Sequence, residues 1–243
     1  DPVAVELVDD TMIELARSIP IFQPTVEEAV RGNPAALLLV EFAEEDMAEN
    51  ERRLRQLHEM MGDLGFGWDK CAAWRGGVVD AIDPGMQGRI SEWRKSGLNI
   101  MMSEKSEAKP VSFLEDCAVE LKDLAEYTDK LTAIFDRNGV KGTWYAHASV
   151  GCLHVRPVLN MKQVGGAETM RAIAEEAFEL VRSFGGSHSG EHGDGIVRSE
   201  FNDRMFGPVL PDLFRQVKAM FDPQGMFNPG KITDAPRMDD RSL

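Results

Sequence analysis

Cysteine is scarce: three occur in 243 residues, Cys71, Cys117 and Cys152, an odd number with no paired spacing. That excludes a disulfide framework, a zinc ribbon and an iron-sulfur cysteine set, and it points to reduced thiols in a cytosol-like compartment. Long apolar runs are missing as well. The longest, "AALLLV", falls far short of the roughly 20 residues a membrane helix needs, so no transmembrane segment is expected. The N-terminus "DPVAVELVDD" lacks the basic and apolar regions of a signal peptide and begins as if cut from something longer. Basic charge is in deficit, 27 Lys and Arg against 41 Asp and Glu, for a formal net charge of -14. Such a surface repels phosphate backbones and anionic lipid, so nucleic acid is not expected as a partner. Histidine is sparse too, five in all, yet four of them (His147, His154, His188, His192) fall within one stretch, with His58 far away.

What is present supports a folded protein. Hydrophobic residues make up 43% of the chain, enough for a real core at this length. No internal repeat or low-complexity segment interrupts it. "VAVELVDDTMIELARS" carries Val5, Leu7, Met12 and Leu15 at helical spacing, and "AALLLVEF" after the breakers "RGNP" predicts a buried strand. A second helix is expected over "EEDMAENERRLRQLHEMMGDLG", ended by Gly62 and Gly65, and a short one over residues 86 to 98 bearing Trp93 and Arg94. "EKSEAKP" predicts an exposed connector. The longest helix is expected over "SFLEDCAVELKDLAEYTDKLTAIFDRNG", capped by Ser112, striped by Leu121, Leu124, Leu131, Ile134 and Phe135, and stopped at Asn138-Gly139.

The period then changes. "TWYAHAS" and "CLHVRPVL" predict two strands joined by a tight turn at Val150-Gly151, which would set His147 and His154 at facing positions. "ETMRAIAEEAFELVRSFGG" predicts an amphipathic helix ended by Gly185-Gly186, followed by the glycine-rich loop "GGSHSGEHGDG" and a closing helix with a Pro/Gly-punctuated tail. Irregular alternation with hairpin-like pairs predicts an α+β, mostly antiparallel sheet with helices packed on one side.

Two imidazoles, His147 and His154, with the carboxylate of Glu191 have the composition of a catalytic site for Zn²⁺, Mn²⁺ or Fe²⁺, three protein ligands with one position open. The neighbouring His192 is then available as a base. Satisfied core histidines beside a surface loop are the plainer alternative.

In their order and separation, "HASVGCLH", "SGEHGDGIVRSEF" and "VKAMFDPQGMFNPGKI" resemble the C-terminal domain of FAD-linked oxidases of the vanillyl-alcohol oxidase superfamily. The glycolate oxidase flavoprotein subunit, D-lactate dehydrogenase and D-2-hydroxyglutarate dehydrogenase are of this type. The resemblance covers essentially the whole chain, residues 1–243, read as one ferredoxin-like α+β cap domain whose partner is an N-terminal flavin domain. It implies that His147, His154 and Glu191 hold a divalent metal, zinc first and manganese or iron otherwise. It implies that His192 is the general base in oxidising a 2-hydroxy acid, with hydride passing to FAD. Asn228 and Lys231 match the tail that returns to the flavin, and Arg94, Lys109 and Arg198 fall where substrate-binding residues occur.

The chain departs from the family pattern. Ser149, Val150 and Cys152 stand where relatives carry Gly, Asp and Asn between the histidines, and Arg156 stands two residues past His154. Residues two apart on a strand share a face, so Cys152, His154 and Arg156 should point one way. Arg156 is therefore expected to pair the second carboxylate of a dicarboxylic 2-hydroxy acid. The variant "HASVGCLHVRP" resembles large fusion flavoproteins with a downstream iron-sulfur region, and no flavin-binding strand-turn-helix unit is seen. The implied whole is a cytoplasmic D-2-hydroxyacid dehydrogenase, or one held peripherally on the inner face of the membrane. The chain alone is expected to lack turnover. A non-catalytic acid-binding module and a metal-dependent hydrolase are the competing readings.

Overall fold

The computed structural model describes residues 1–67, 77–103 and 105–240; Cys71 lies outside them. In chain order the strands are β1 (Ala4–Asp9), β2 (Ala36–Glu41), β3 (Lys109–Pro110), β4 (Cys117–Ala118), β5 (Gly142–His147) and β6 (Cys152–Leu159). The α-helices are α1 (Asp10–Ser18), α2 (Gln23–Ala29), α3 (Met47–Asp63), α4 (Pro84–Lys95), α5 (Gly97–Met102), α6 (Leu124–Arg137), α7 (Gly166–Ser183), α8 (Asn202–Phe206) and α9 (Val209–Phe221). The chain read as one domain divides into two compact units. One comprises Asp1–Ser106 with Thr143–Ser149, the other Glu107–Gly142 with Val150–Leu243. Within each, strands pair antiparallel, as the α+β expectation required.

In the first unit β1 is central, with β2 on one side and β5 on the other. The single helix expected over "VAVELVDDTMIELARS" is instead a strand followed by a helix. Val5, Leu7 and Val8 favour the pleated chain, and Asp9 ends it: its backbone stays extended while its Oδ1 accepts the Met12 N–H at 2.9 Å, starting α1. The strand at "ALLLVE" forms, but it is half-exposed rather than buried; among the described residues it pairs on one edge, with β1. The core gathers Val8, Met12, Ile13, Val26, Trp93 and Ile100. Each such side chain, fully buried, contributes about 1.5–3 kcal/mol before entropy is charged against it.

In the second unit β3 and β4 both pair with β6. The expected long helix from Ser112 does not start there: α6 begins at Leu124 after a single 3₁₀ turn, Leu121–Asp123, and residues 117–118 are strand. Asp116 interrupts the helix physically, since its φ of +89° is left-handed and an α-helix cannot pass through it. Helix α6 then buries Tyr127, Leu131, Ile134 and Phe135, and α7 buries Ile173, Ala177, Phe178 and Val181; the two helices pack on each other. After α6 comes Gly139 at φ +67° and after α7 comes Gly185 at φ +66°, the left-handed stop that glycine adopts without strain. Among the described residues no helix is long and apolar enough to cross a membrane.

Candidate metal and substrate site

Strand β6 carries Cys152, His154 and Arg156 at alternate positions, and all three side chains meet groups from one side, as a shared face requires. Cys152 Sγ lies 3.5 Å from Asp116 Oδ1, His154 Nε2 lies 3.2 Å from Glu191 Oε1, and Arg156 pairs with Glu115. His192 completes the group, its Nε2 3.3 Å from Glu191 Oε1 and its ring near-parallel to His154 with centroids 4.9 Å apart. One ligand atom from each of Asp116, His154, Glu191 and His192 falls within 4.8 Å of the others. Donors of a tetrahedral zinc site with bonds of about 2.0–2.1 Å sit about 3.3 Å apart. The two spacings at Glu191 Oε1 match that edge, which suits Glu191 and a neighbouring imidazole to share a divalent cation, while the group as a whole extends to 4.8 Å. His154 is 2% exposed, whereas Glu191 and His192 keep 47% and 40% of their side chains open, the exposure a substrate-facing pair needs.

The loop reaches this position because glycine lets it. A Cβ on Gly190 would stand 3.0 Å from Cys152 Sγ and 3.2 Å from Asp116 O. Arg198, expected to meet substrate, spans the loop's base instead. Its guanidinium donates to the carbonyl oxygens of Glu115 and Gly193 and lies 3.8 Å from Asp116 Oδ2. At the loop's start His188 is buried, with Nε2 3.1 Å from Asp194 Oδ1. Burial would raise the Asp194 carboxyl, but His188, Asn202 and the Arg198 charge together hold the group below its ordinary value.

Asp116 was not among the residues expected here. It is fully buried, and its carboxylate accepts the Glu191 N–H at 2.8 Å, the His192 N–H at 2.8 Å and the Ser189 hydroxyl at 2.9 Å. Burial alone would raise its pKa; the two N–H donors and the hydroxyl overcome that and lower it. Burial pushes the Cys117 thiol up to about 11 and, with Asp116 alongside, the Cys152 thiol up to about 12. Cys152 is therefore a neutral, packed thiol.

The other expected residues have partners of their own. In the first unit His147 Nδ1 is 2.9 Å from both Glu6 oxygens, and Arg94 Nη2 is 2.6 Å from Glu6 Oε2. Arg94 Nη2 also stands 3.2 Å from His147 Nδ1, but that nitrogen cannot receive a guanidinium proton while it donates its own to Glu6. Both donors thus converge on Glu6. Lys109 opens β3 opposite Leu159. Asn228 and Lys231 are exposed on the tail, 3.4 Å apart, with Asn228 left-handed at φ +45°. The tail is shaped by Asp222, which accepts from Lys218 Nζ and from the Met226 and Phe227 N–H groups; the Lys218 contact leads in lowering its pKa to about 2.

The family described as FAD linked oxidases, C-terminal domain, matches residues 1–232. A D-2-hydroxyglutarate dehydrogenase of Pantoea ananatis is 34% identical over 94% of this chain, and one of Escherichia coli is 33% identical over 97%. The chain spans only 22% and 24% of those two proteins. Among solved structures, a 4-ethylphenol oxidase from Gulosibacter chungangensis superposes with a TM-score of 0.57 over 96% of this chain and 48% of its own, at 12% identity; that likeness speaks to the fold.

Proposed function

We propose, from the premise that this chain belongs to the family of FAD linked oxidase C-terminal domains, that it forms the substrate- and metal-binding part of an FAD-dependent D-2-hydroxyacid dehydrogenase acting on D-2-hydroxyglutarate. The observation that carries the reading is the convergence of His154 Nε2 and His192 Nε2 on Glu191 Oε1, at 3.2 and 3.3 Å. The choice of substrate rests on relatives bearing that name, which align with nearly the whole chain.

His154 and Glu191 are assigned as metal ligands, with His147 as the third. Glu6 faces His147 Nδ1 at 2.9 Å, the usual arrangement in which a carboxylate orients a ligating imidazole. Zinc is the assigned ion, and the same borderline donors accept Mn²⁺ or Fe²⁺. When bound, the cation supplies Lewis acidity to the substrate hydroxyl and the flavin supplies the hydride acceptor. His192 takes the hydroxyl proton while the C2–H bond gives up its electron pair, so the 2-hydroxy acid leaves as a 2-oxo acid. Arg94 and Lys109 are assigned to the substrate carboxylates; a guanidinium resting on Glu6 keeps further N–H groups for a second anion.

The remaining roles belong to the longer protein. Asn228 and Lys231 face the flavin domain, and the apolar side chains of Met220, Phe221, Met226 and Phe227, all at least 67% exposed, are covered by it. An electron acceptor or iron-sulfur region lies elsewhere in the protein, in the cytoplasm. Anaerobic mixing of the full-length flavoprotein with D-2-hydroxyglutarate or D-lactate tests the reading. The flavin absorbance is expected to bleach with the diacid faster than with lactate, and to bleach at least 100-fold more slowly in His192→Ala. Flavin that stays oxidised with both acids, or an unimpaired His192→Ala, would refute it.

A further inference from the structure

The carboxylate of Asp116 is wholly buried beside the proposed cation site, and the question is whether it binds the ion or arranges what does. Its oxygens already receive three short hydrogen bonds, from the Glu191 and His192 N–H groups and the Ser189 hydroxyl, and Cys152 Sγ stands 3.5 Å from Oδ1. A carboxylate offers about four lone-pair sites, and these partners fill them. Two successive N–H groups turned to one buried anion also fix the peptide planes of residues 191 and 192, hence the directions in which both side chains leave the backbone. Further contacts fasten the same segment: the Gly190 N–H donates to Asp116 O at 2.6 Å, and Asp116 N donates to Leu153 O at 2.7 Å, next to His154 on β6.

We infer that Asp116 is a positioning residue: its buried carboxylate holds the glycine-rich loop by the N–H groups of Glu191 and His192, and so sets the ligand and the base against His154 without itself touching the ion. The inference rests on the cation reading given above. It explains why the residue is acidic and where the chain bends. The left-handed φ of +89° turns the side chain back under the loop, a conformation that Asp and Asn tolerate better than other side chains and that glycine adopts freely.

Asp116→Asn is the matching perturbation, since it keeps the shape and the tolerated backbone, while its amide group presents a donor where an N–H now finds an acceptor. In the full-length protein, zinc affinity measured against a competing chelator is expected to fall 10- to 100-fold. The zinc K-edge spectrum at saturation should be unchanged, because no ligand is lost. Hydrogen exchange in the peptide spanning residues 189–193 should accelerate in Asp116→Asn and again in Asp116→Gly, which keeps the backbone free of strain if the amide variant does not fold. A saturated spectrum with one fewer oxygen neighbour would make Asp116 a ligand and overturn the inference. Unchanged affinity with unchanged exchange would overturn it as well. If the unaltered protein takes up no zinc, the cation reading fails by itself, and faster or unchanged exchange at 189–193 still decides whether Asp116 holds the loop.

Discussion

Replacing Arg156 separates two accounts of this strand. Arg156 is 5% exposed and pairs with Glu115, itself 12% exposed, so Arg156→Ala leaves a carboxylate facing little solvent and no guanidinium. Breaking a buried ion pair by removing one partner costs about 3–5 kcal/mol, and the residual exposure of Glu115 places this case near the low end, about 3 kcal/mol. For a chain of this length that corresponds to a melting temperature lower by roughly 6–12 °C. Removing both charges at once, Arg156→Met with Glu115→Leu, should return stability to within about 1 kcal/mol of the unaltered protein, since neither charge is then stranded. Denaturant melts of the parent, Arg156→Ala, Arg156→Met, Glu115→Leu and the double variant provide the assay. A substrate-binding arginine behaves in the opposite way: its loss spares stability and abolishes the preference for diacids over D-lactate. Arg156→Ala within about 1 kcal/mol of the parent, with diacid preference gone, would refute the structural assignment.

Two further outcomes follow from titrating groups. Burial raises the pKa of Asp9 from 3.8 to about 6, against the opposing N–H bonds from Met12 and Trp144. Its stabilising contribution is therefore full below pH 3.8 and lost as pH rises through about 6, a change of about 3 kcal/mol; Asp9→Asn, which keeps a capping oxygen, should flatten that part of the stability curve, and an unchanged slope between pH 4 and 6 would count against it. Cys117 and Cys152, with thiols pushed up to about 11 and about 12, should resist alkylation at pH 7.5 while the native fold holds, with thiolate populations roughly 10²–10³ below an ordinary cysteine. Peptide mapping that finds either one modified as fast as a free thiol would contradict their burial.

Much of this molecule was legible because local rules and tertiary packing agree. The period of α7, the stop at Gly185 and the alternation of Cys152, His154 and Arg156 on β6 could all be read from spacing. What was missed shares one cause. Every residue of the apolar stripe cited for the long helix lies at Leu121 or beyond, so nothing periodic supported a helix across Ser112–Glu120. The segment "EDCAVE" instead places Glu115 and Asp116 against β6 and the glycine-rich loop, contacts far away in sequence that no local pattern encodes. Asp116 was hidden because its partners are backbone N–H groups, which any sequence supplies. Glu6 was hidden for a related reason: one acid among many on an acidic chain acquires meaning only when β1 lies beside β5 and brings it to His147. The β1–α1 boundary was blurred because Val5, Leu7 and Met12 suit a helical stripe by number, while the cap at Asp9 decides the geometry.

The most direct test is the metal content of the full-length protein and of its Glu191→Ala variant, measured by mass spectrometry after gel filtration with FAD occupancy recorded alongside. The account predicts about one divalent ion per chain in the parent and less than about a tenth of one in the variant, with FAD retained in both. Equal metal in the two proteins, or none in the parent, would contradict it.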